Sequence, residues 1–224
     1  MILDLCLVPK EFYDENKFPH MHRIFMLSPA YCGGKRSQLL LCPHAQFELA
    51  RRLRSPSGVA LGELFSFLSG LYFRGKLNYS SSFARPPAGV AGTVVITPSR
   101  GLMAPSEPLH LERLQEFAQV EIGFTEKRFQ EPLVRSAQQL ALQLGESCEV
   151  VLLGSIATDK YLATLDSIFG HRLRFPAEFA GRGDMSRGGL LLRCVTEQRE
   201  LTYVSLSGGA RHGNRPPKLP RLRS

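Results

Sequence analysis

The sequence contains no apolar stretch close to the roughly 20 residues that a membrane-spanning helix needs. Residues 1–10 lack the basic start of a secretory signal, and Asp4 and Pro9 interrupt their apolar run. The five cysteines are widely spaced and never form a Cys-x-x-Cys pair, which argues against a disulfide framework and against structural zinc. We therefore predict a cytoplasmic protein with reduced thiols, without a membrane partner, a bound metal or a cofactor.

A sequence motif that pairs a nucleophile with its base is also missing. The six histidines are dispersed, and none adjoins a recognisable serine or cysteine elbow. The sequence therefore leaves open whether the chain is an enzyme, and it does not define an oligomeric state.

The net charge of +8 is unevenly distributed along the chain. Residues 211–224 contain five basic residues and no acidic one, so most of the excess belongs to this end. We divide the chain into an N-terminal extension (1–22), a single α/β domain (23–206) and a basic tail (207–224). The tail is rich in proline and arginine, a composition that predicts disorder. It could serve for solubility or bind nucleic acid, since both kinds of tail have this composition.

The order of apolar segments predicts strands that alternate with helices. Three short apolar runs, each followed by small polar residues, indicate buried strands at 23–27, 93–96 and 149–153. Apolar residues at helical spacing indicate core-facing helices over 61–72, 133–144 and 161–169, with Gly145 and Gly170 as stops.

Strands separated by helices pair in parallel, and runs that are apolar throughout are typical of a sheet covered on both faces. We predict an α/β fold, a three-layer sandwich with a mostly parallel central sheet. Residues 190–195 and 201–206 flank a polar segment, so a C-terminal antiparallel hairpin is expected to extend that sheet.

Ligands of open α/β sheets bind beyond the carboxyl ends of the strands. The loops predicted there are rich in glycine, hydroxyl and basic side chains, which suit an anionic ligand. The candidate ligand-binding residues are Ser28, Tyr31, Gly33, Gly34, Lys35, Arg36, Ser99, Arg100, Gly101, Gly154, Ser155, Lys160, Arg182, Ser186 and Arg187. Asp159 and Asp184 are the candidate catalytic acids. We expect Lys35, Arg100, Lys160 and Arg182 to share one pocket.

A second polar cluster at 72–79 alternates cations with aromatic residues, a mixture that can stack on bases. We favour the structural interpretation, in which Tyr72 and Phe73 cover the core while Arg74 and Lys76 extend into water.

Two motifs resemble the uracil-DNA glycosylase-like superfamily. Residues 27–34 (Leu-Ser-Pro-Ala-Tyr-Cys-Gly-Gly) are similar to its Gly-Gln-Asp-Pro-Tyr turn, and residues 152–160 are similar to its Leu-Leu-Trp-Gly-x-x-Ala-x-x-Lys strand. Phe175-Pro176 and 181–183 resemble its last catalytic loop only loosely. The resemblance spans about residues 23–190 in element order and implies an α/β fold that binds a base or nucleic acid.

The sequence departs from that family at both catalytic positions. Pro29-Ala30 stands where the family has its water-orienting acid, and Ala177 or Glu178 stands where it has its catalytic histidine. The leading hypothesis is therefore a protein that binds a nucleotide, a modified base or nucleic acid, either without catalysis or with a displaced acid. The alternatives are a transferase or hydrolase of a small phosphorylated metabolite, and a non-enzymatic subunit that docks through its basic tail.

Overall fold

The computed structural model describes residues 22–156, 160–205 and 216. The predicted N-terminal extension and basic tail thus lie almost wholly outside the described residues. The strands are β1 (Arg23–Leu27), β2 (Val59–Ala60), β3 (Thr93–Thr97), β4 (Gly101–Met103), β5 (Pro108–Leu109), β6 (Glu149–Leu153), β7 (Leu173–Pro176) and β8 (Tyr203–Ser205). The helices are α1 (Lys35–Leu41), α2 (Glu48–Leu53), α3 (Leu61–Ser69), α4 (Leu71–Phe83), α5 (Leu111–Ala118), α6 (Lys127–Leu144), α7 (Leu162–Phe169) and α8 (Asp184–Thr196).

The central sheet has six strands in the order β4-β3-β1-β6-β7-β8. Its four inner strands are parallel, and β4 and β8 pair antiparallel at the two edges. The mostly parallel sheet and its antiparallel C-terminal pair confirm the predicted fold class. After β1 the chain forms β3 on one side and later β6 on the other, so the strand order reverses beside β1. A ligand crevice is expected beyond the carboxyl ends of β1 and β6 at such a reversal.

The inner strands are mostly apolar because both faces of the sheet are covered. Phe25 and Leu27 pack against α1 to α5 and α8, whereas Ile24 and Met26 face α6 and α7 on the other side. The three layers and the predicted strands at 23–27, 93–96 and 149–153 are therefore observed. Gly145 and Gly170 follow α6 and α7 with positive φ, as predicted for helix stops.

Two segments differ from the sequence prediction. The predicted strand at 190–195 is wrong, because these residues belong to α8; β8 pairs instead with β7, joining Val204 to Phe175. A short apolar run has the same appearance in a buried helix and in a buried strand. The predicted helical face over 61–72 is divided between α3 and α4 by Gly70, whose φ of 67° favours glycine.

Helices α4 and α8 approach closely because glycines face each other where they cross. A Cβ atom on Gly75 would lie 2.8 Å from the carbonyl oxygen of Gly188, and one on Gly188 would lie 2.8 Å from Cα of Tyr72. This contact fixes the distance between the two helices over the carboxyl end of β1. No helix in the described part of the chain is long and apolar enough to cross a membrane.

We predict that Gly188→Ala destabilises the protein by about 1–3 kcal/mol, because the added methyl group meets the backbone of α4. Urea denaturation measures the change. Gly123→Ala is the control, since a Cβ atom there meets no heavy atom within 4 Å, and its expected effect is below about 0.5 kcal/mol. Equal stability of both variants would show that the helices do not pack as described.

Candidate functional site

A cavity of about 720 Å³ opens beyond the carboxyl ends of β1, β3 and β6. Loops that follow these strands form part of its wall, and α4, α5, α8, the end of α3 and the segment after α5 contribute the other residues. Its lining residues are Ser28, Pro29, Tyr31, Cys32, Gly33, Ser69, Tyr72, Lys76, Pro98, Phe117, Ala118, Gln119, Val120, Glu121, Ile122, Ser155, Lys160, Tyr161 and Asp184. The volume suits a small organic molecule. We call this space the main cavity.

A buried lysine contacts a serine in the wall of the main cavity. Lys76 projects from α4 and is 1% exposed. Its Nζ donates to the backbone oxygen of Ser28 at 2.7 Å and to Ser28 Oγ at 2.8 Å. The rings of Tyr72 and Phe73 flank the amine, each centroid 4.7 Å from Nζ. Ser28 is the first residue after β1, so the rigid sheet holds its hydroxyl in place.

The environment of Lys76 lowers the proton affinity of its amine. Burial lowers the pKa of Lys76 to about 7, and the negative charge of Asp184 opposes that shift. Removal from water disfavours the charged amine, and no carboxylate within the described residues forms an ion pair with it. A substantial fraction of the amine is therefore neutral at physiological pH. A neutral amine beside a hydroxyl can accept its proton.

Tyr161 lies against Ser28 at the point where β1 and β6 end. Its hydroxyl donates to the backbone oxygen of Ser155 at 3.3 Å, and burial raises its pKa to about 12. A Cβ atom on Gly154 would lie 2.8 Å from Ser28 Cβ and 2.9 Å from the Tyr161 hydroxyl. Only glycine fits there, so Gly154 permits the close approach of the serine and the tyrosine.

Tyr72 contributes a buried hydroxyl near the main cavity. The residue is 5% exposed, and its hydroxyl makes no hydrogen bond of normal geometry within the described chain, although the Arg187 side chain lies near it. Burial raises the pKa of Tyr72, so the group stays protonated. A buried hydroxyl without a partner is costly and is common where a ligand completes the site. Because Tyr72 lines the main cavity, a ligand there could accept this hydrogen bond.

The structure brings only part of the predicted site together. Six of the predicted residues line the main cavity: Ser28, Tyr31, Gly33, Ser155, Lys160 and Asp184. Gly34, Lys35 and Arg36 line a neighbouring cavity that also contains Tyr31. Gly154 supports the main cavity through its contact with Ser28 and Tyr161. Asp159 lies outside the described residues.

The residues after β3 serve other contacts. Arg100 forms an ion pair with Glu116 at 2.7 Å, and Ser99 Oγ donates to the same carboxylate. Gly101, with φ of 64°, packs against the backbone of Pro132 and has no room for a Cβ atom. These three residues do not line the main cavity.

The arginines of the loop before α8 are also held by the protein. Arg182 donates to the backbone oxygen of Glu178 at 3.0 Å and to Ser186 Oγ at 3.2 Å. Arg187 donates to the backbone oxygen of Phe179 at 3.1 Å and lies 3.7 Å from the Asp184 carboxylate. Of the four cations expected to share one pocket, only Lys160 lines the main cavity.

Sequence reasoning missed Lys76, Tyr72 and Tyr161 as site residues. The prediction that Lys76 extends into water is wrong, because the side chain is fully buried. A signal was present in its spacing, since Lys76 lies three residues from both Phe73 and Tyr79 and so shares the buried face of α4. Within the described ranges, no group of three or more His, Cys, Asp or Glu residues could hold a metal ion.

Comparison with protein-family models, curated proteins and solved structures finds no match to this chain. A functional assignment therefore depends on the geometry and electrostatics of the main cavity.

We predict that the free energy of unfolding rises between pH 7 and 10 in the wild type relative to Lys76→Met. In this range the unfolded chain carries a proton on Lys76 and the folded protein does not. The difference can reach about 1.4 kcal/mol per pH unit. Below pH 7 both states are protonated, and the difference becomes constant.

Urea denaturation across this pH series measures the effect. Lys127→Met, at an exposed position, is the control and should follow the wild type. Parallel curves for the wild type and Lys76→Met would contradict the lowered pKa.

Proposed function

We propose that the protein is a serine hydrolase that cleaves an ester or amide bond, with Ser28 as nucleophile and Lys76 as general base. The observation that carries this proposal is the 2.8 Å contact between Lys76 Nζ and Ser28 Oγ in the wall of the main cavity. Serine–lysine pairs perform acyl transfer on several unrelated folds.

The first half of the reaction transfers the acyl group to Ser28. In the structure Lys76 Nζ donates to the Ser28 backbone oxygen and to Oγ. Once the amine is neutral, it keeps the first of these hydrogen bonds and turns its lone pair to the Ser28 hydroxyl proton. Oγ attacks the substrate carbonyl carbon as Nζ takes that proton. The tetrahedral intermediate then expels its leaving group, which receives the proton from Nζ.

The second half releases the acyl group to water. Lys76, neutral again, accepts a proton from a water molecule that attacks the acyl-serine ester, and it returns this proton to Ser28 Oγ. Tyr72 could stabilise the negative oxygen of the intermediates, because the residue lines the cavity and burial keeps its hydroxyl protonated. The phenyl ring of Tyr72 simultaneously keeps water from the amine.

We predict that a fluorophosphonate probe labels Ser28 covalently, with a rate that rises with pH around a midpoint near 7. The reason is that the neutral form of Lys76 activates Oγ, and this form becomes dominant above its pKa. Ser28→Ala should abolish labelling, and Lys76→Met should reduce its rate at least about 100-fold. Intact-protein mass spectrometry measures the rate and the modified residue.

Ser99→Ala and Lys127→Met are the matched controls, since neither residue lines the main cavity. Both should be labelled at the wild-type rate. A wild-type protein that the probe leaves unlabelled from pH 6 to 9 would refute the dyad, as would equal rates for the wild type and Lys76→Met.

A second proposal is that the main cavity binds a nucleotide or a base, as the resemblance to the glycosylase-like superfamily implies. The observation that favours it is Tyr31, which is 74% exposed and lines both cavities, so that a base could stack on its ring. We predict saturable binding of a nucleotide or a short single-stranded oligonucleotide at low salt, weakened at least fivefold by Tyr31→Ala. Fluorescence titration across a salt series tests this, and the absence of saturation at low salt would contradict it.

We also propose a cytoplasmic location. Cys32, Cys42, Cys148 and Cys194 are all unpaired, which is usual in a reducing compartment. The alternative of a subunit that docks through its basic tail concerns residues outside the described ranges and stays a prediction.

A further inference from the structure

A second cavity, of about 270 Å³, adjoins the main cavity. Tyr31 and Ser69 line both spaces, so one molecule could occupy the two together. The remaining residues of the second cavity are Gly34, Lys35, Arg36, Ser37 and Leu68.

The second cavity carries uncompensated positive charge. Lys35 and Arg36 both line it, and none of its lining residues is acidic. Within the described chain neither cation forms an ion pair, in contrast to Arg100 with Glu116. Arg36 Nη1 donates to the backbone oxygen of Phe67 at 3.0 Å, which fixes its guanidinium and leaves the other donors of this group for a ligand. An anion is therefore the ligand that this wall favours.

Ser37 adds a second and independent observation. The residue is 1% exposed, and its Oγ is buried without a hydrogen-bond partner in the described part of the chain. An unsatisfied buried hydroxyl costs free energy, and a ligand acceptor would remove that cost. Because Ser37 lines a cavity that also contains Lys35 and Arg36, we expect the acceptor to belong to an anion.

We propose that the second cavity binds a phosphoryl group, and that the substrate of the Ser28 reaction is an ester or amide that carries a phosphate. A phosphate offers three acceptor oxygens and a charge near −2, which match an ammonium, a guanidinium and a hydroxyl from three successive residues. A carboxylate has fewer acceptors and half the charge. The link to Ser28 rests on the hydrolase proposed above, whereas phosphate binding itself does not.

Isothermal titration calorimetry with inorganic phosphate tests the site directly. We expect saturable binding to the wild type, weakened at least tenfold by Lys35→Ala and about fivefold by Ser37→Ala, while acetate binds at least tenfold more weakly. Ser37→Ala removes only an unpaired hydroxyl, so the variant should keep its fold. Lys127→Ala controls for the loss of one surface charge and should bind phosphate as the wild type does. Absence of phosphate binding, or equal binding by Lys35→Ala and Lys127→Ala, would overturn the proposal.

The connection with catalysis is tested with phenyl acetate and with phenyl acetate that carries a phosphate on its ring. We expect Lys35→Ala to raise KM for the phosphorylated ester about tenfold more than it raises KM for phenyl acetate, with the larger part of the effect in KM rather than in kcat. Equal effects on the two esters would refute a phosphate subsite for the substrate. If the wild type binds phosphate but hydrolyses neither ester, the hydrolase proposal fails and the phosphate site stands.

Discussion

The close contact between α4 and α8 is the constraint on which the site depends. Gly75 and Gly188 let the helices approach over the carboxyl end of β1, and this packing encloses Lys76 among aromatic rings. Burial of an amine is unfavourable as long as the amine is charged, so the surroundings favour its neutral form. The same helix pair places Asp184 at the cavity, where its charge limits the shift. The reactivity assigned to Ser28 thus originates in helix packing rather than in a local motif.

The sheet adds positional precision to that chemistry. Ser28 and Gly154 follow adjacent parallel strands, so the register of β1 with β6 decides which side chains meet. Leu27 pairs with Leu153, which sets the next residue of each strand side by side. A serine at one position and a glycine at the other leave space for Tyr161 between them. Side chains held by sheet and helix packing can keep a catalytic geometry that a surface loop would lose.

Three of the four inner strands, β1, β3 and β6, were predictable because burial on both faces makes them mostly apolar, whereas β7 was not predicted. The helix stops were predictable because glycine tolerates positive φ. The prediction of a strand at 190–195 was wrong because a short apolar run occurs both in buried strands and in buried helices. In the structure these residues belong to α8, which packs through Gly188 against the backbone of α4. Residues that follow β1, β3 and β6 line the main cavity, but only some of the predicted ones are among them. Which loop residues face the cavity depends on contacts distant in sequence, as the pairing of Arg100 with Glu116 shows.

The burial of Lys76 is the feature that the sequence predicted least well. Lysines usually keep their amines in water, and an average preference cannot identify an exception that α8, more than 100 residues later, creates. The helical spacing of Tyr72, Phe73, Lys76 and Tyr79 indicated one buried face, although the lysine itself argued against it.

The central claim is that Lys76 loses its proton near neutral pH in the folded protein, so that a substantial fraction can act as a base. Its most direct test is NMR titration of the Cε resonance of Lys76, in protein labelled with ¹³C at lysine and assigned by comparison with Lys76→Met. The account predicts a midpoint near pH 7. A midpoint for Lys76 near the ordinary lysine value of about 10.4 would contradict it.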